Sequence, residues 1–75
     1  MIAELDTVVL TEDLPKQNLR EGDLGTVVMV YKNNAAYEVE FITLDGETLT
    51  VATLTAKQIR EVKKGEIPHA RNLAV

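Results

Sequence analysis

The chain has 75 residues, which is enough for one domain with a single hydrophobic core. It contains neither cysteine nor serine, so disulfide bonds, thiolate zinc sites and catalysis by a serine or cysteine nucleophile are excluded. Apolar residues make up 45% of the chain, with one phenylalanine, two tyrosines and no tryptophan. Short runs of branched aliphatic residues favour β-strands.

The net charge of −4 is unevenly distributed. Up to Val62 there are eleven acidic and five basic residues, whereas residues 63–75 hold three basic residues and one acidic residue. An acidic body repels a phosphate backbone. The first six residues carry two acids where a signal peptide would be basic, and no apolar run approaches the roughly 20 residues that span a bilayer. We therefore expect a cytoplasmic protein with no membrane association.

The first predicted strand covers residues 6–11, with Val8 and Leu10 on one face. Residues 12–22 follow as a polar loop, interrupted by proline and glycine, that is long for a hairpin. Two side chains are available to pack this loop against the rest of the domain: Leu14 and Leu19.

The second predicted strand, residues 24–31, lacks clean alternation, which indicates either that both of its faces are covered or that a bulge lies near Val28. Residues 32–34 predict a turn, since asparagine tolerates a positive φ. Residues 37–41 alternate strictly and form the clearest strand in the chain. Its core-facing side chains are predicted to be Tyr37, Val39 and Phe41, and its solvent-facing ones Glu38 and Glu40.

Asp45-Gly46 marks a tight hairpin, and the returning strand is predicted over residues 48–51 with Leu49 and Val51 facing inward. Residues 55–58 fit a capping box and predict one helical turn that delivers Ile59 to the core. A last short strand covers residues 60–62.

This order predicts an all-β fold, a small five-stranded SH3-like barrel over residues 1–62 with a short helical turn before the last strand. An OB-like barrel is the alternative, disfavoured because it usually needs longer strands and an inserted helix. Residues 63–75 show no strand pattern and are predicted to form a tail that is either flexible or binds a partner. Its apolar candidates for such a contact are Ile67, Leu73 and Val75.

Residues 19–28 contain Gly22, Asp23, Gly25 and Val27, which resemble the Gly-Asp-x-Gly-x-Val core of KOW and related SH3-like barrels. The resemblance implies that Gly22 and Gly25 frame the end of the long loop, where a crowded backbone requires glycine.

A broader resemblance covers roughly residues 2–62. The segments 4–10, 22–28, 37–41, 45–48 and 54–55 resemble a family of short bacterial proteins known only as a domain of unknown function. The resemblance supports the barrel and implies no activity.

No catalytic, cofactor-binding or metal-binding constellation is visible. His69 is the one histidine, which gives no ligand spacing, and the Glu38–Glu40 pair is typical of a solvated strand face. We therefore expect a non-enzymatic domain without a cofactor.

The remaining function is binding, because loops on a rigid scaffold commonly carry binding residues. We expect a protein-interaction or accessory subunit, one form of which is an antitoxin or immunity protein whose acidic face covers a basic toxin. The alternative is a KOW-like nucleic-acid or ribosome-associated module that uses Tyr31 and the basic tail; the acidic body disfavours it. The sequence does not indicate the oligomeric state. The candidate partner-binding residues are Leu14, Lys16, Leu19, Arg20, Tyr31, Lys32 and Asn33.

Overall fold

A computed structural model describes residues 1–73 as one antiparallel five-stranded sheet. The order across the sheet is β4-β3-β2-β1-β5, which confirms the predicted all-β, five-stranded fold. Within the described chain, hydrogen bonds do not close the sheet into a barrel, so β4 and β5 are its two edges. Two 3-10 turns interrupt the loops, at Pro15–Gln17 and Lys32–Asn34. The strands are β1 (Thr7–Leu10), β2 (Leu24–Val30), β3 (Ala36–Ile42), β4 (Thr48–Thr55) and β5 (Ile59–Glu61).

The core lies on one face of the curved sheet. The strict alternation predicted for β3 is confirmed, since Tyr37, Val39 and Phe41 are all buried. The loop between β1 and β2 completes this core, because both of its leucines are buried against the strands. The buried cluster consists of Val8, Leu10, Leu14, Leu19, Val27, Tyr37, Val39, Phe41, Ala52, Leu54 and Ile59.

Three backbone positions singled out in the sequence, Val28, Gly22 and Gly25, have special geometry in the structure. The register of β2 against β3 shifts between Val27 and Met29, which places the bulge at Val28. Gly22 has a φ of +93°, a conformation that side chains rarely adopt. A Cβ on Gly25 would lie 2.5 Å from Val39 Cγ1, so any other residue at this position would force the Val39 side chain to move.

The predicted facing of β4 is wrong. Leu49 and Val51 were expected inside, but their side chains are 39% and 50% exposed, and the buried residues of β4 are Ala52 and Leu54. The pairing of β4 with β3 explains which residues of β4 face the core. Leu54 and Ala52 lie opposite buried residues of β3, and a register shift between Phe41 and Ile42 accommodates the extra residue at Leu49.

The segment between β4 and β5 is a hydrogen-bonded turn and not the helical turn predicted. Gln58 N–H donates to Thr55 O at 3.0 Å, and the Gln58 side-chain oxygen accepts from Thr55 N–H at 2.9 Å. The glutamine reach-back of a capping box is therefore present without a helix. Ile59 is delivered to the core as expected.

After β5, residues 62–73 contain neither strand nor helix, yet they lie against the domain through side-chain contacts described below. None of the helical segments in the described chain has the length and apolar character needed to cross a membrane.

Candidate functional site

Two of the predicted partner-binding residues belong to the core. Leu14 and Leu19 pair with each other as an isolated β-bridge around the Pro15–Gln17 turn, and both side chains are buried. They hold the loop on the domain, as the sequence suggested, and they offer no surface to a partner.

The other five predicted residues are exposed on two separate loops. Lys16 and Arg20 lie between β1 and β2, and Tyr31, Lys32 and Asn33 lie between β2 and β3. Asn33 has a φ of +63°, so this turn uses the asparagine conformation that the sequence predicted. No hydrogen bond or ion pair within residues 1–73 joins the two groups through these side chains. Their binding role stays a prediction.

The two glutamates of β3 hold a polar network on the outer face of the sheet. The Glu38 carboxylate accepts hydrogen bonds from the Tyr31 hydroxyl and from Thr53 Oγ1, the latter at 2.7 Å. These bonds lower the pKa of Glu38, the one from Tyr31 contributing most. Glu40 accepts a hydrogen bond from Thr48 Oγ1 at 2.7 Å. The carboxylates therefore order neighbouring side chains on an exposed face, and the Tyr31 hydroxyl is engaged by an acid.

A broad open groove lies on the face of the sheet opposite the core, with contributions from the outer face itself, the β3–β4 hairpin and the tail. Leu44, beside the hairpin turn, is 90% exposed, and Ile67, in the tail, is 87% exposed. Val9 points away from the core cluster, yet it is buried and lines the same groove. We call the exposed side chains the aliphatic groove; its members are Leu24, Ile42, Leu44, Leu49, Val62 and Ile67.

The tail is anchored along this groove by two arginine–carboxylate pairs. Arg71 donates Nε–H to Asp23 Oδ1 at 2.9 Å and binds the second carboxylate oxygen through Nη2. Arg60 makes a matching two-bond contact to Glu66, at 2.9 and 2.7 Å. Asn18 adds a bond to the main-chain oxygen of Leu73 at 2.7 Å. These contacts fix the described part of the tail; Val75, named above as a tail candidate, lies outside the described residues.

Asp23 joins the loop to the tail. Its carboxylate accepts the main-chain N–H of Arg20 at 2.7 Å as well as the Arg71 guanidinium. Burial acts to raise the pKa of Asp23, but the hydrogen bonds from Arg71 and Arg20 outweigh it, so the net pKa is lowered. Asp23 is thus ionised at neutral pH and holds Arg71 in place.

Acidic residues dominate the rim of the aliphatic groove. Seven carboxylates line it with three arginines, two of which are engaged by Asp23 and Glu66. The groove therefore presents aliphatic side chains within a negative field, an arrangement suited to an apolar protrusion flanked by basic residues.

Sequence reasoning identified Ile67 but missed most of this groove. Leu49 was predicted to face the core, and Ile42 and Leu44 were assigned to no strand, turn or site. Leu44 carried a usable signal, because a leucine beside an Asp-Gly turn has no core within reach of the hairpin tip.

Comparison with known proteins gives a family and nothing more specific. No curated protein and no solved structure is similar enough to the chain to count as a match. The family model Domain of unknown function (DUF4926) matches residues 4–61, which include all five strands and end before the tail. The chain therefore belongs to the DUF4926 family.

Proposed function

We propose that this protein is a non-catalytic binding module that takes a protein partner in the aliphatic groove. The observation that carries the proposal is the collection of six exposed aliphatic side chains around one groove, in a domain whose core is already complete without them. Contiguous exposed apolar surface on a small soluble domain marks an interaction site.

The charge around the groove specifies the partner further. The partner carries an aliphatic or aromatic protrusion with lysine or arginine residues beside it, which meet the carboxylates on the rim. A basic toxin bound by its antitoxin or immunity protein is one partner of this kind.

One double variant and one control variant test the proposal. Leu44 and Ile67 are almost fully exposed, so the double variant L44D/I67D keeps the core intact. V28D places one carboxylate at an exposed position of β2 that does not line the groove. In affinity capture from the native lysate, the wild type and V28D should retain the same protein and L44D/I67D should lose it. Equal retention by all three, or no specific protein in any, contradicts the proposal.

The nucleic-acid alternative has less support. Tyr31, its stacking candidate, donates its hydroxyl to a carboxylate, and Arg71 of the basic tail is bound to Asp23. Both features place negative charge where a phosphate backbone would approach. A salt-dependent shift with single-stranded RNA or DNA at 50 mM salt would favour the alternative; we expect none.

A further inference from the structure

The two edges of the sheet differ in how they are protected. β5 has three residues, includes Arg60 and Glu61, and is flanked by the amino terminus, whose NH3⁺ lies 3.4 Å from the Glu61 carboxylate. β4 has eight residues, TLTVATLT, with no charge and no proline. Short strands, charges and prolines are how sheet edges normally avoid pairing with another chain. Only β5 has such protection.

Main-chain groups on the outer side of β4 are open. Tyr31 N–H donates to Ala36 O at 3.0 Å, so Ala36 directs its main-chain groups toward β2. Because these groups alternate along a strand, Tyr37 directs its own toward Leu54 of β4. The N–H and C=O groups of Val51 and Thr53 consequently point away from β3, and no main-chain partner for them occurs within residues 1–73.

We propose that β4 pairs antiparallel with β4 of a second copy of this chain, giving a dimer with one continuous ten-stranded sheet. A two-fold axis perpendicular to the sheet keeps the core-covered faces of the two copies on the same side of the joined sheet. Core-facing residues of one β4 must therefore lie opposite core-facing residues of the other, and outward-facing residues opposite outward-facing ones. Centring the axis on Ala52 sets Val51 opposite Thr53 of the other copy and Ala52 opposite itself. Val51 and Thr53 then supply four hydrogen bonds, and the irregular residue Leu49 is not needed.

The register is self-complementary in chemistry as well as in hydrogen bonds. Every opposed pair from Thr50 to Leu54 joins threonine, alanine, valine or leucine, so no like charges meet. The acids on the neighbouring strand β3 are Glu38 and Glu40, opposite Thr53 and Val51. Two copies of β3 lie three strand spacings apart, about 14 Å, which exceeds the Debye length of about 8 Å at physiological salt. Repulsion between these carboxylates of the two copies is therefore largely screened.

A second copy fits this edge better than a foreign strand does. A foreign peptide would need an uncharged, β-branched sequence complementary to TLTVATLT. A second copy of the chain already carries this self-complementary sequence and is present at the same concentration. The groove member Leu49 lies in β4, but the two proposals are tested separately, because the residues that test the groove, Leu44 and Ile67, lie outside β4.

The first test is the mass of the full-length protein by sedimentation or light scattering across a concentration series. We expect a concentration-dependent rise from 8.3 kDa to twice that mass. V51P removes the outward N–H of Val51 without removing a bond to β3, so it should abolish the rise. V51T keeps both the N–H and a β-branched side chain and should preserve it. A monomer at all concentrations, or an unchanged dimer in V51P, overturns the proposal.

A second test does not depend on the folding of a proline variant. Opposed residues of a non-hydrogen-bonded antiparallel pair have Cα atoms about 4.5 Å apart, within disulfide range. The natural chain has no cysteine, so A52C introduces a single thiol at the two-fold axis. In a glutathione redox buffer A52C should form a covalent dimer, and V28C, exposed on β2, should not. Equal cross-linking of both variants, or none in A52C, contradicts the register.

Discussion

Replacing Gly25 with alanine tests how closely β2 packs against β3 at this position. The new Cβ would lie 2.5 Å from Val39 Cγ1, 2.9 Å from Phe41 Cε1 and 3.1 Å from Glu40 O. Carbon atoms in contact prefer 3.5–4.0 Å, so the Val39 methyl group alone must move by about 1 Å. Val39 and Phe41 are buried in the core, so their side chains cannot relieve the clash by moving into solvent.

The magnitude follows from these contacts. Overpacking of a core costs about 1–3 kcal/mol, and two simultaneous clashes place Gly25→Ala at the upper end. Alanine offsets part of this cost, about 0.4–1 kcal/mol, by restricting the unfolded chain. We expect a net loss of about 2 kcal/mol in the free energy of unfolding. With a urea m-value of about 1 kcal/mol/M for a small domain, the midpoint should fall by roughly 2 M.

The assay is equilibrium urea unfolding of the wild type, G25A, V39A and the double variant. Removing the Val39 methyl groups makes room for the new Cβ, so the double variant should lose at least about 1 kcal/mol less than the sum of the single losses. A loss below about 0.5 kcal/mol for G25A, or strict additivity, would refute the crowding of β2 against β3.

Three further predictions concern the loop and the tail. Protonation of Asp23 and Glu66 should weaken the fold, because both carboxyl groups have a lowered pKa in the folded protein, about 2 for Glu66. Their contribution to stability is complete above their ordinary pKa values of 3.8 and 4.5, and it is lost as the pH falls through their pKa values in the folded protein. Urea midpoints should therefore be flat above pH 5 and decline toward pH 2, and D23N/E66Q should decline less. R71A should lower the free energy of unfolding by at most about 1 kcal/mol, because the Arg71–Asp23 pair is partly exposed. The same variant should shift the NMR signals of residues 70–73, and unchanged signals would contradict the anchoring of the tail by Arg71. L19A should cost about 2–4 kcal/mol in thermal or urea unfolding, since its side chain is buried in the core; a loss below about 1 kcal/mol would place the loop off the domain.

Local chemistry was sufficient to predict most of the fold. The alternation of β3, the broken alternation of β2 at Val28 and the positive φ of the two asparagines in the β2–β3 turn are each indicated by a few adjacent residues. The Gly-Asp-x-Gly-x-Val motif similarly marks a left-handed residue, Gly22, and a close approach, Gly25.

The facing of β4 depended on pairing and could not be predicted from its own residues. The strand has apolar side chains at positions 49, 51, 52 and 54, so its pattern allows either face to point inward. Opposition to β3 decides between them, because Tyr37 and Val39 bring Leu54 and Ala52 into the core. The same pairing leaves Leu49 and Val51 outside, where they contribute to the exposed apolar surface.

The site was harder to predict than the fold, because its parts are distant in sequence. The aliphatic groove combines β2, the β3–β4 hairpin and the tail, and only the Arg71–Asp23 and Arg60–Glu66 contacts bring the tail alongside. Of the predicted partner-binding residues, Leu14 and Leu19 pack into the core, and the binding role of the other five stays a prediction.

Site-specific photo-cross-linking in the native cell tests the binding proposal most directly. A photoreactive amino acid replaces Leu44 in the aliphatic groove, Asn33 in the β2–β3 turn or Val28 on β2, all of which are exposed. We predict a cross-link from position 44 to one heterologous protein, which mass spectrometry distinguishes from a product of two copies of the chain, and no cross-link from position 28. Cross-links from position 33 alone, or none above background from position 44, would contradict the assignment of the groove as the binding surface.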